Sequence, residues 1–446
     1  MRPVYVVAGG VSKFAKARPD KTFQALVKEA YDYILQDLCI EHPKMVELID
    51  GVVGSYFSDH FEYQLMAAIM VQDYLGLVPK PGHRVEGGGA TGGICFQEAW
   101  KAVASGYMDV VLAYGFEVMS KVNTWKGNEF IALASDTTFD YPVGGFYSGY
   151  YAMMVVRHMK EFGTTPEQMA MVSVKNHKNA MYNPFSQAPM DITIEDVRKA
   201  PMVAWPLTRL DICTMSDGAA AIILASEEGL KKIEDAAGRT LPKVKVTGIG
   251  RGTDAMRMAD RPHGDVPLLP HEKPEDYVGD KFLGGKLKYP GIHSFRAGRM
   301  ASIQAYKMAG ITNPLEELDF IELHDAYTSS EIQTYEDMGL CRYGEGGKFV
   351  EEGYPFMPNV DYRIDKPLPH KGKIPVNPSG GLIAAGHPVG ATGLMQAVFA
   401  LWQLQGTIGK HFGDETLQIK NAKRGAIHSH AGTGTYVTVS ILEREE

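Results

Sequence analysis

The N-terminal part of the chain alternates between short apolar runs and amphipathic segments. The opening VYVVAGG predicts a buried strand, and FQALVKEAYDYILQDL carries apolar residues at helical spacing. A second strand, LIDGVVGSYF, precedes a helix around Glu62 to Leu75. A glycine-rich turn at Gly87–Gly93 then leads into a helix through Val103 and the strand DVVLAYGFE. This alternation predicts a largely parallel sheet with helices on its faces.

The segment from Ser120 to roughly Trp205 breaks this rhythm. It holds the aromatic and glycine cluster DYPVGGFYSGYYAMM, two predicted helices and NPFSQAPM. We interpret it as an inserted loop subdomain, about residues 120–205, that shapes a pocket. Its aromatic side chains hint at a bulky or ring-bearing substrate, although aromatics at such spacings more often pack in a core.

The pattern of the N-terminal part then repeats. After SDGAAAIILASEEGLKKI, the stretch Gly238 to Lys243 is typical of a linker, and KVKVTGIGRG begins a second series. This series contains the helix SFRAGRMASIQAYKMAG, the strand DFIELHDAYT and a helix from Ser329 to Met338. A glycine-rich turn into a helix follows at GGLIAAGHPVGATGLMQAVFALWQL, and GTYVTVSILE is the closing strand. We therefore predict two halves, residues 1–237 and 238–446. The segment from Asp260 to Pro290 is predicted to be a surface loop or a partner-binding arm.

Composition narrows the class of protein. The chain has 446 residues, of which 45% are hydrophobic, which suffices for two or three core-sized units. A net charge of −8 argues against a general nucleic-acid binder. No apolar stretch approaches the roughly 20 residues of a membrane helix, and the N-terminus lacks the pattern of a signal peptide. Four dispersed cysteines without a CxxC pair give no disulfide framework, so we expect a soluble, cytoplasmic protein.

The densest motif surrounds one histidine. Asn377–Gly381 reads NPSGG, and Ala385–Gly393 reads AGHPVGATG around His387. So many glycines indicate a backbone that approaches a ligand or another segment closely. Pro388 restricts His387 to an extended conformation just before a predicted helix, whose first N–H groups can face an anion or a developing oxyanion. The alternative, a tight turn with an incidental histidine, rarely needs this many constrained positions.

These stretches resemble the thiolase superfamily, most closely the sterol-carrier-type thiolases and their lipid-transfer-protein relatives. PLTRLDICTMSDGAAAIILAS resembles the mid-chain signature of that branch, and YAMMVVRHMKEFGTTPEQMAMVSVKNHKNAMYNP resembles its loop subdomain. ELHDAYTSSEI and GHPVGATG resemble two of its four catalytic loops. The resemblance implies an α/β fold with two similar α/β halves in a five-layer α-β-α-β-α arrangement, a homodimer, coenzyme A thioesters as substrates and no redox cofactor.

The chain departs from the family at the nucleophile. The family carries a cysteine at a helix start after a V-E-type strand, and the matching stretch VEGGGATGG puts Gly89 at that place. A helix start lowers the pKa of a thiol, but here there is no thiol to activate. Cys95 lies six residues further on, within the predicted helix, and is expected to be a small buried hydrophobe.

The resemblance places three histidines at the site. His430 in HSHAGTG matches the second, acid–base cysteine of the family, and His324 stands where an asparagine usually orders a water. We expect His324, His387 and His430 to converge on one pocket, while strand alternation can turn the nearby His428 away. The remaining predicted site residues are Asp325 and Tyr327 as catalytic groups, with Tyr327 equally suited to core packing, and Gly89, Ala90, Gly386 and Gly432 as substrate and oxyanion loops.

The residue types point to enolate chemistry. Imidazole can donate to a thioester oxygen as it becomes an enolate, or move a proton near neutral pH. Such a step needs an oxyanion stabilised in a dry pocket, but it does not need an acyl-enzyme. We therefore predict cleavage or formation of a carbon–carbon bond in an acyl-CoA, by a retro-aldol or aldol lyase or a related condensing enzyme. Cysteine-free relatives of this kind work with a small zinc-ribbon and OB-fold partner, which is implied here by analogy.

Other interpretations stay open from the sequence. One is an orthodox thiolase, an acetyl-CoA acyltransferase whose nucleophile is displaced or mutated. A second is a catalytically silent scaffold that binds acyl-CoA. A third is a zinc site built from the three histidines, although nothing in their spacing demands it, and we predict no metal. The acyl chain and the residues that contact coenzyme A are not indicated by the sequence.

Overall fold

The computed structural model describes residues 1–261, 264–265, 267–273, 288–289, 292 and 296–445. Most of the segment from Asp260 to Pro290, which we predicted to be a surface loop or partner-binding arm, therefore lies outside the described residues. Within the described part of the chain, no helix is both long enough and apolar enough to cross a membrane.

Strands and helices alternate through the first half, as the periodicity predicts. The strands are β1 (Tyr5–Val11), β2 (Gly51–Ser55), β3 (Gly82–Val85), β4 (Val110–Val118), β5 (Met202–Ala204), β6 (Leu207–Thr208) and β7 (Asp217–Ala225). The helices are α1 (Phe23–Leu38), α2 (His42–Leu48), α3 (Asp59–Glu62), α4 (Ala67–Tyr74), α5 (Thr91–Ala104), α6 (Thr124–Ala132), α7 (Tyr147–Phe162), α8 (Pro166–Ala180), α9 (Ile194–Lys199) and α10 (Glu227–Ala237).

The second half has the same kind of alternation. Its strands are β8 (Val244–Thr253), β9 (Gly264–Asp265), β10 (Lys288–Tyr289), β11 (Phe320–Glu322), β12 (Arg424–Ala431) and β13 (Tyr436–Arg444). Its helices are α11 (Arg296–Ala309), α12 (Pro314–Glu317), α13 (Thr328–Asp337), α14 (Gly346–Glu351), α15 (Gly381–Ala385), α16 (Thr392–Gln405) and α17 (Ile408–Phe412).

Strand order shows an internal duplication. Among the described residues, nine strands form one sheet in the order β11-β12-β13-β8-β1-β7-β4-β2-β3. From β1 outward the successive pairings are antiparallel to β7, antiparallel to β4 and parallel to β2. From β8 outward they are antiparallel to β13, antiparallel to β12 and parallel to β11. A short antiparallel contact between β1 and β8 joins the two series.

The prediction of a largely parallel sheet was wrong, because β7 and β13 run antiparallel to both of their neighbours. A tight turn joins β12 directly to β13, and antiparallel pairing is what such a turn produces. β4 and β7 are the corresponding pair in the first half, but the inserted subdomain separates them along the chain. Because the insertion lies between β4 and β7, a local sequence pattern does not reveal that these two strands pair with each other.

The helices complete five layers. Helix α5 packs against β2 and β4 of the first half and against β12 and β13 of the second, and α16 likewise contacts strands of both halves. Helix α1 covers the outer side of β1 and β7, and α11 covers that of β8 and β13. Every residue of β4 and β7 is buried, as expected for strands with helices on both faces.

The inserted subdomain is more helical than predicted. The two expected helices correspond to α7 and α8, but α6, α9 and the small β5–β6 hairpin also belong to this segment. Helices of nine and six residues are too short to display a clear apolar period. Both begin at a side-chain cap, supplied by Asn123 and Thr193, and these caps are the local signal that periodicity alone misses.

The two central helices touch through their backbones. A Cβ placed on Gly92, at the start of α5, would lie 2.6 Å from the backbone nitrogen of Gly393, at the start of α16. A Cβ on Gly393 would in turn press on the backbone nitrogen of Gly93. Only glycine allows this distance between the helices, so the crossing fixes how the two halves meet.

We expect Gly393→Ala to lower the free energy of unfolding by about 1–3 kcal/mol, because the added methyl group meets backbone that cannot rotate away. Urea denaturation followed by circular dichroism measures the change. Gly149→Ala is the matched control, since Gly149 is also helical but its Cβ would meet nothing within 4 Å. That control should be neutral or slightly stabilising, and equal losses in the two variants would contradict the close crossing.

Candidate active site

Three histidines from separate segments lie side by side. The ring centroids of His324 and His387 are 4.9 Å apart, with the rings nearly perpendicular, and those of His324 and His430 are 4.1 Å apart. The structure thus brings together the three imidazoles that we expected in one pocket, with His324 in the middle. Among the described residues, no group of three or more His, Cys, Asp and Glu is arranged to hold a metal ion.

Strand register explains two of these positions. Strands β11 and β12 are parallel, with Glu322 opposite Ile427. His324 follows the carboxyl end of β11 and His430 lies near the carboxyl end of β12, so both side chains reach the same edge of the sheet. Function commonly collects at this edge of parallel strands.

His387 lies at a break between two helices. We expected one helix to begin directly after it, but α15 ends at Ala385 and α16 begins only at Thr392. Gly386, with φ of 116°, makes the break, because side-chain-bearing residues rarely adopt that conformation. The N–H of His387 then donates to Ser216 Oγ at 2.9 Å, which anchors the histidine to the first half.

His428 is a fourth imidazole, next to His430 and to the backbone of His324. Its ring centroid is 5.7 Å from that of His430, and its Nδ1 accepts the N–H of His324 at 3.4 Å. The expectation that strand alternation turns His428 away was wrong. Alternation has a period of two, so residues 428 and 430 share one face of β12.

Asp325 is directed at the N-terminus of α15 and not at the imidazoles. Its carboxylate accepts the N–H of Leu382 at 2.6 Å and an amide N–H of Asn176 at 2.7 Å. A Cβ on Gly381, which has φ of 61°, would press on the same carboxylate. Because both oxygens accept hydrogen bonds inside the fold, Asp325 is placed to position the adjacent His324, and its catalytic role stays a prediction.

A buried ion pair supports the same loop. Lys175 Nζ lies 2.9 Å from a carboxylate oxygen of Glu331, and both side chains are fully buried. The amide of Asn377 donates to Glu331 at 2.9 Å and accepts the N–H of Leu323 at 2.8 Å. Through Asn377, the NPSGG motif therefore links this ion pair to the backbone at Leu323, next to His324. The sequence analysis did not identify Lys175 and Glu331. Charged residues within a helix that is buried on all sides indicate such a network.

Hydrogen bonds define the tautomer of His387. The hydroxyl of Thr392 donates to the carbonyl oxygen of Pro388 at 2.9 Å and lies 2.8 Å from Nδ1 of His387. With its own proton used, this hydroxyl accepts from Nδ1–H, and Nε2 is left with a free lone pair. His387 is therefore arranged as a proton acceptor.

His430 shows the opposite tautomer. The hydroxyl of Tyr151 donates to the carbonyl oxygen of Gly432 at 2.8 Å and lies 2.7 Å from Nε2 of His430. Nε2 then carries the proton and donates to the phenol oxygen. The sequence places Tyr151 only within an aromatic cluster, because its 279-residue separation from His430 leaves no local signal.

Tyr327 behaves as a packing residue. Its ring stacks on Tyr151 with centroids 4.1 Å apart, and its hydroxyl lies 3.2 Å from that of Ser148. Among the described residues no hydrogen bond joins it to an imidazole. These contacts favour core packing, the alternative given for Tyr327, and its catalytic role stays a prediction.

Burial keeps the imidazoles neutral. It lowers the pKa of His387 to about 4 and that of His428 to about 3. The pKa of His324 is well below its ordinary value, first through burial and then through repulsion from His430 and His387. The pKa of His430 is also well below its ordinary value, first through burial and then through repulsion from His428 and His387. At pH 7 these side chains are donors through N–H and bases through a lone pair, and not cations.

No side chain fits at Gly89, the position to which the resemblance assigns the nucleophile of the family. A Cβ at Gly89 would lie 2.5 Å from the carbonyl oxygen of His430 and 3.1 Å from Cε1 of His324. The first contact is shorter than real Cβ contacts, and its partner is backbone, which cannot move without shifting the loop. The histidine loop therefore occupies the space that a side chain at Gly89 would need.

Backbone donors remain at two of the four predicted oxyanion positions. The N–H of Ala90 bonds to the carbonyl three residues back at 3.1 Å, and that of Gly386 bonds to the carbonyl four residues back at 3.2 Å. Those two N–H groups are already hydrogen-bonded, so Ala90 and Gly386 stay predicted as loop residues around the substrate and are not proposed as oxyanion donors. The N–H groups of Gly89 and Gly432 make no hydrogen bond within the described part of the chain, and they stay predicted oxyanion donors.

The cysteines near the site are not activated. Cys95 is fully buried, with Sγ 3.3 Å from the carbonyl oxygen of Val53, and burial raises the pKa of its thiol to about 12. Cys213, whose N–H donates to Ala326 at 2.9 Å, lies beside the His324 loop, and burial raises the pKa of its thiol to about 12 as well. Both thiols are protonated at neutral pH and are poor nucleophiles.

Comparison with known proteins places the chain in a family. Residues 4–228 match the family described as thiolase, N-terminal domain, and residues 288–444 match the thiolase C-terminal domain-like family. The chain belongs to the thiolase superfamily. It is 36% identical to acetyl-CoA acetyltransferase of Methanothermobacter thermautotrophicus over 444 residues, which cover 100% of each chain. It is 30% identical to sterol carrier protein 2 of Homo sapiens over 455 residues, which cover 99% of this chain and 72% of that protein.

A solved structure shares the fold of this thiolase-superfamily protein. The Ltp2-ChsH2(DUF35) aldolase matches with a TM-score of 0.72 over 99% of this chain and 98% of that chain, at 22% identity. The predicted family, two-halved thiolase fold and enzyme class are confirmed. The replacement of the nucleophile by Gly89 and the roles of the histidines stay predictions.

We expect catalysis that depends on neutral His387 to persist in mild acid. Because the pKa of this imidazole lies at about 4, kcat/KM should stay level from pH 7 to about 5, where an ordinary histidine would already be protonated. A pH profile of carbon–carbon bond cleavage in the acyl-CoA substrate between pH 4.5 and 8 measures this, and an acid limb near pH 6.5 would contradict it.

The free energy of unfolding should fall as the pH is lowered below about 6.5. Folding must therefore be measured at each pH alongside activity. An unfolded histidine takes up a proton near pH 6.5, whereas folded His387 does so only near pH 4. The stability present above pH 6.5 is therefore lost as pH falls toward 4. Near-ultraviolet circular dichroism at each pH separates lost activity from lost fold.

We expect Gly89→Cys to destabilise the protein by about 1–3 kcal/mol without creating an acyl-enzyme, because the added Cβ meets the His430 carbonyl. Thermal unfolding measures the first effect, and intact-protein mass spectrometry after exposure to acetyl-CoA measures the second. Gly149→Cys adds the same thiol in open space as a control. An acetyl group on the thiol introduced at position 89 would show that an ordinary nucleophile fits.

Proposed function

We propose that this thiolase-superfamily protein cleaves or forms a carbon–carbon bond beside a coenzyme A thioester as a retro-aldol or aldol lyase, without an acyl-cysteine intermediate. The observation that carries this proposal is the packing of neutral imidazoles against Gly89, where the His430 carbonyl excludes a side chain. Enolate chemistry needs a base, oxyanion donors and a dry site, and it needs no thiol.

His387 is proposed as the base in the cleavage direction. The Nε2 lone pair of His387 takes the proton of a β-hydroxyl group. The Cα–Cβ bond of the substrate then breaks, and the electron pair of that bond becomes part of the thioester enolate. A carbonyl compound leaves, and the enolate carbon takes up a proton to give the shortened acyl-CoA. The hydrogen bond from Nδ1–H to Thr392, at 2.8 Å, holds the ring in the required tautomer.

His324 and Gly89 are proposed to stabilise the enolate oxygen. Nδ1 of His324 is buried and makes no hydrogen bond among the described residues, and the Gly89 N–H is likewise unused there. The two groups are close, since a Cβ at Gly89 would lie 3.1 Å from Cε1 of His324. A pair of preorganised donors at a developing oxyanion is worth several kcal/mol in a water-excluded site.

The protonated Nε2 of His387 is proposed to return the same proton to the enolate carbon, which leaves His387 neutral again, while His430 and Tyr151 hold the neighbouring loop in place. Their hydrogen bond of 2.7 Å ends at the Gly432 carbonyl, so the pair is held in one arrangement. Coenzyme A enters as the substrate thioester, which the name of the acetyl-CoA acetyltransferase relative supports. We propose no redox cofactor and no metal.

Two assemblies are part of the proposal. Strand β3 is at the edge of the sheet, and the segment between α3 and α4 exposes apolar side chains, Tyr63 at 76% and Leu65 at 70%. An open edge and an exposed apolar surface both favour pairing with a second copy, so we propose a homodimer. The two-part name of the Ltp2-ChsH2(DUF35) aldolase supports a small second subunit, which we propose as a zinc-ribbon and OB-fold partner.

A second candidate function is orthodox thiolysis. The 36% identity to an acetyl-CoA acetyltransferase along the whole chain favours it. The closed Gly89 position and the buried Cys95 thiol argue against it, since thiolysis by the family route needs an accessible thiolate.

Product analysis separates these candidates. The protein, alone and with a candidate partner subunit, is incubated with matched β-hydroxyacyl-CoA and β-ketoacyl-CoA panels, with and without free coenzyme A. We expect β-hydroxyacyl-CoA to give an aldehyde or ketone and a shortened acyl-CoA without free coenzyme A. Cleavage of β-ketoacyl-CoA that requires free coenzyme A would instead establish thiolysis.

Variants assign the roles. We expect His387→Gln to lower kcat on the order of 100-fold or more, as loss of a general base does. Cys95→Ala should keep full activity, because its thiol is in the core. No cleavage and no exchange of α-protons with deuterium oxide under any partner condition would mean that the protein is a silent scaffold.

A further inference from the structure

Arg261 is a buried guanidinium with no anionic partner among the described residues. It is 4% exposed, and its only hydrogen bond in the described structure runs from Nη2 to Thr433 Oγ1 at 2.6 Å. Nε and Nη1 are both buried without a hydrogen-bond partner there. Within the described part of the chain, no carboxylate pairs with this group. A guanidinium stays charged in proteins, so its positive charge is uncompensated within that part.

Arg299, the other buried arginine among the described residues, has its charge compensated by a carboxylate. Arg299 is 0% exposed, and its Nη2 lies 2.6 Å from a carboxylate oxygen of Glu272. Leaving a buried charge unpaired costs several kcal/mol. Since Arg299 is paired and Arg261 has no carboxylate partner among the described residues, the position of Arg261 favours an anion that the described part of the chain does not supply.

Arg261 is one loop away from the imidazoles. Its hydrogen-bond acceptor, Thr433, directly follows Gly432, whose carbonyl accepts the hydroxyl of Tyr151 at 2.8 Å. That hydroxyl lies 2.7 Å from His430 Nε2. An anion bound at Arg261 would therefore lie beside the reacting part of the substrate and not at its distant end.

A second unused donor stands next to the same loop. The hydroxyl of Tyr147 is buried without a hydrogen-bond partner among the described residues, and a Cβ on Gly432 would lie 3.6 Å from it. Tyr147, Gly432 and Thr433 line a cavity of about 10 Å³, room for roughly one water. Asp140 also lines this cavity, but no ion pair joins it to Arg261.

These donors match one class of ligand. Two guanidinium N–H positions and a phenol O–H can satisfy the two oxygens of a carboxylate, for which the planar fork of arginine is well shaped. The phosphates of coenzyme A are a less suitable match, because the pantetheine arm separates them from the thioester that the imidazoles must reach.

We propose that Arg261 binds a carboxylate on the acyl group, so that the substrates are coenzyme A thioesters of acids with a second carboxyl group. This inference rests on the proposed function for the placing of the acyl group, and it specifies the substrate class.

Binding without turnover tests the proposal. Titration calorimetry compares succinyl-CoA with butyryl-CoA, and glutaryl-CoA with valeryl-CoA; none has a β-hydroxyl group, so the result does not depend on lyase activity. We expect the carboxylate member of at least one pair to bind about 10- to 100-fold more tightly, as hydrogen bonds to a charged group provide. Arg261→Gln should abolish this preference.

Two further variants make the test specific. Arg257→Gln removes a nearby charge that is already paired with Asp260 at 3.2 Å, and it should leave the preference intact. Arg261→Lys keeps the charge without the fork, and it should retain part of the preference. Circular dichroism verifies the fold of each variant, and the ratio measured in the unaltered protein stands even if Arg261→Gln does not fold.

Three outcomes would overturn the proposal. The first is equal affinity of the unaltered protein for both members of every pair, and the second is a preference that survives in Arg261→Gln. The third is equal weakening of all coenzyme A esters in Arg261→Gln, absent with pantetheine esters that lack the phosphates, which would assign Arg261 to coenzyme A. Failure of the proposed function would appear separately, as absent cleavage despite a clear binding preference.

Discussion

The backbone contact between the starts of α5 and α16 is the constraint on which the site depends. Gly92 and Gly393 approach so closely that no side chain fits between them. The turn before α5 carries Gly89, and the break before α16 carries His387. Because both helices lie between the two sets of strands, this crossing delivers one loop from each half to the same point, and β11 and β12 supply the other two histidines at the neighbouring sheet edge.

The exclusion of a side chain at Gly89 and the desolvation of the imidazoles have one structural origin. The loop that carries His430 lies against Gly89, which removes the room for a nucleophile and also buries the ring of His324. Burial then lowers the pKa of each histidine. The lack of space for a side chain at Gly89 and the neutral state of the imidazoles therefore follow from the same packing, which the buried pair of Lys175 and Glu331 supports.

The sequence predicted the features that local periodicity or the family resemblance can indicate. Periodicity indicated the duplicated α/β halves, and the motifs around His324, His387 and His430 indicated their convergence. It did not predict the tautomers of His387 and His430, the turning of Asp325 toward α15, or the link from Tyr151 to His430. Each of these depends on a contact between segments that are far apart in the chain or on one dihedral angle, such as that of Gly386, and neither leaves a periodic signal.

The crowding of the four imidazoles limits how much charge the centre can store. With ring centroids 4.1 to 5.7 Å apart, a hydrogen ion on one ring opposes a second on any neighbour. Protonation of one ring therefore makes protonation of the next less favourable, so we expect the cluster to take up its positive charges one at a time as the pH falls.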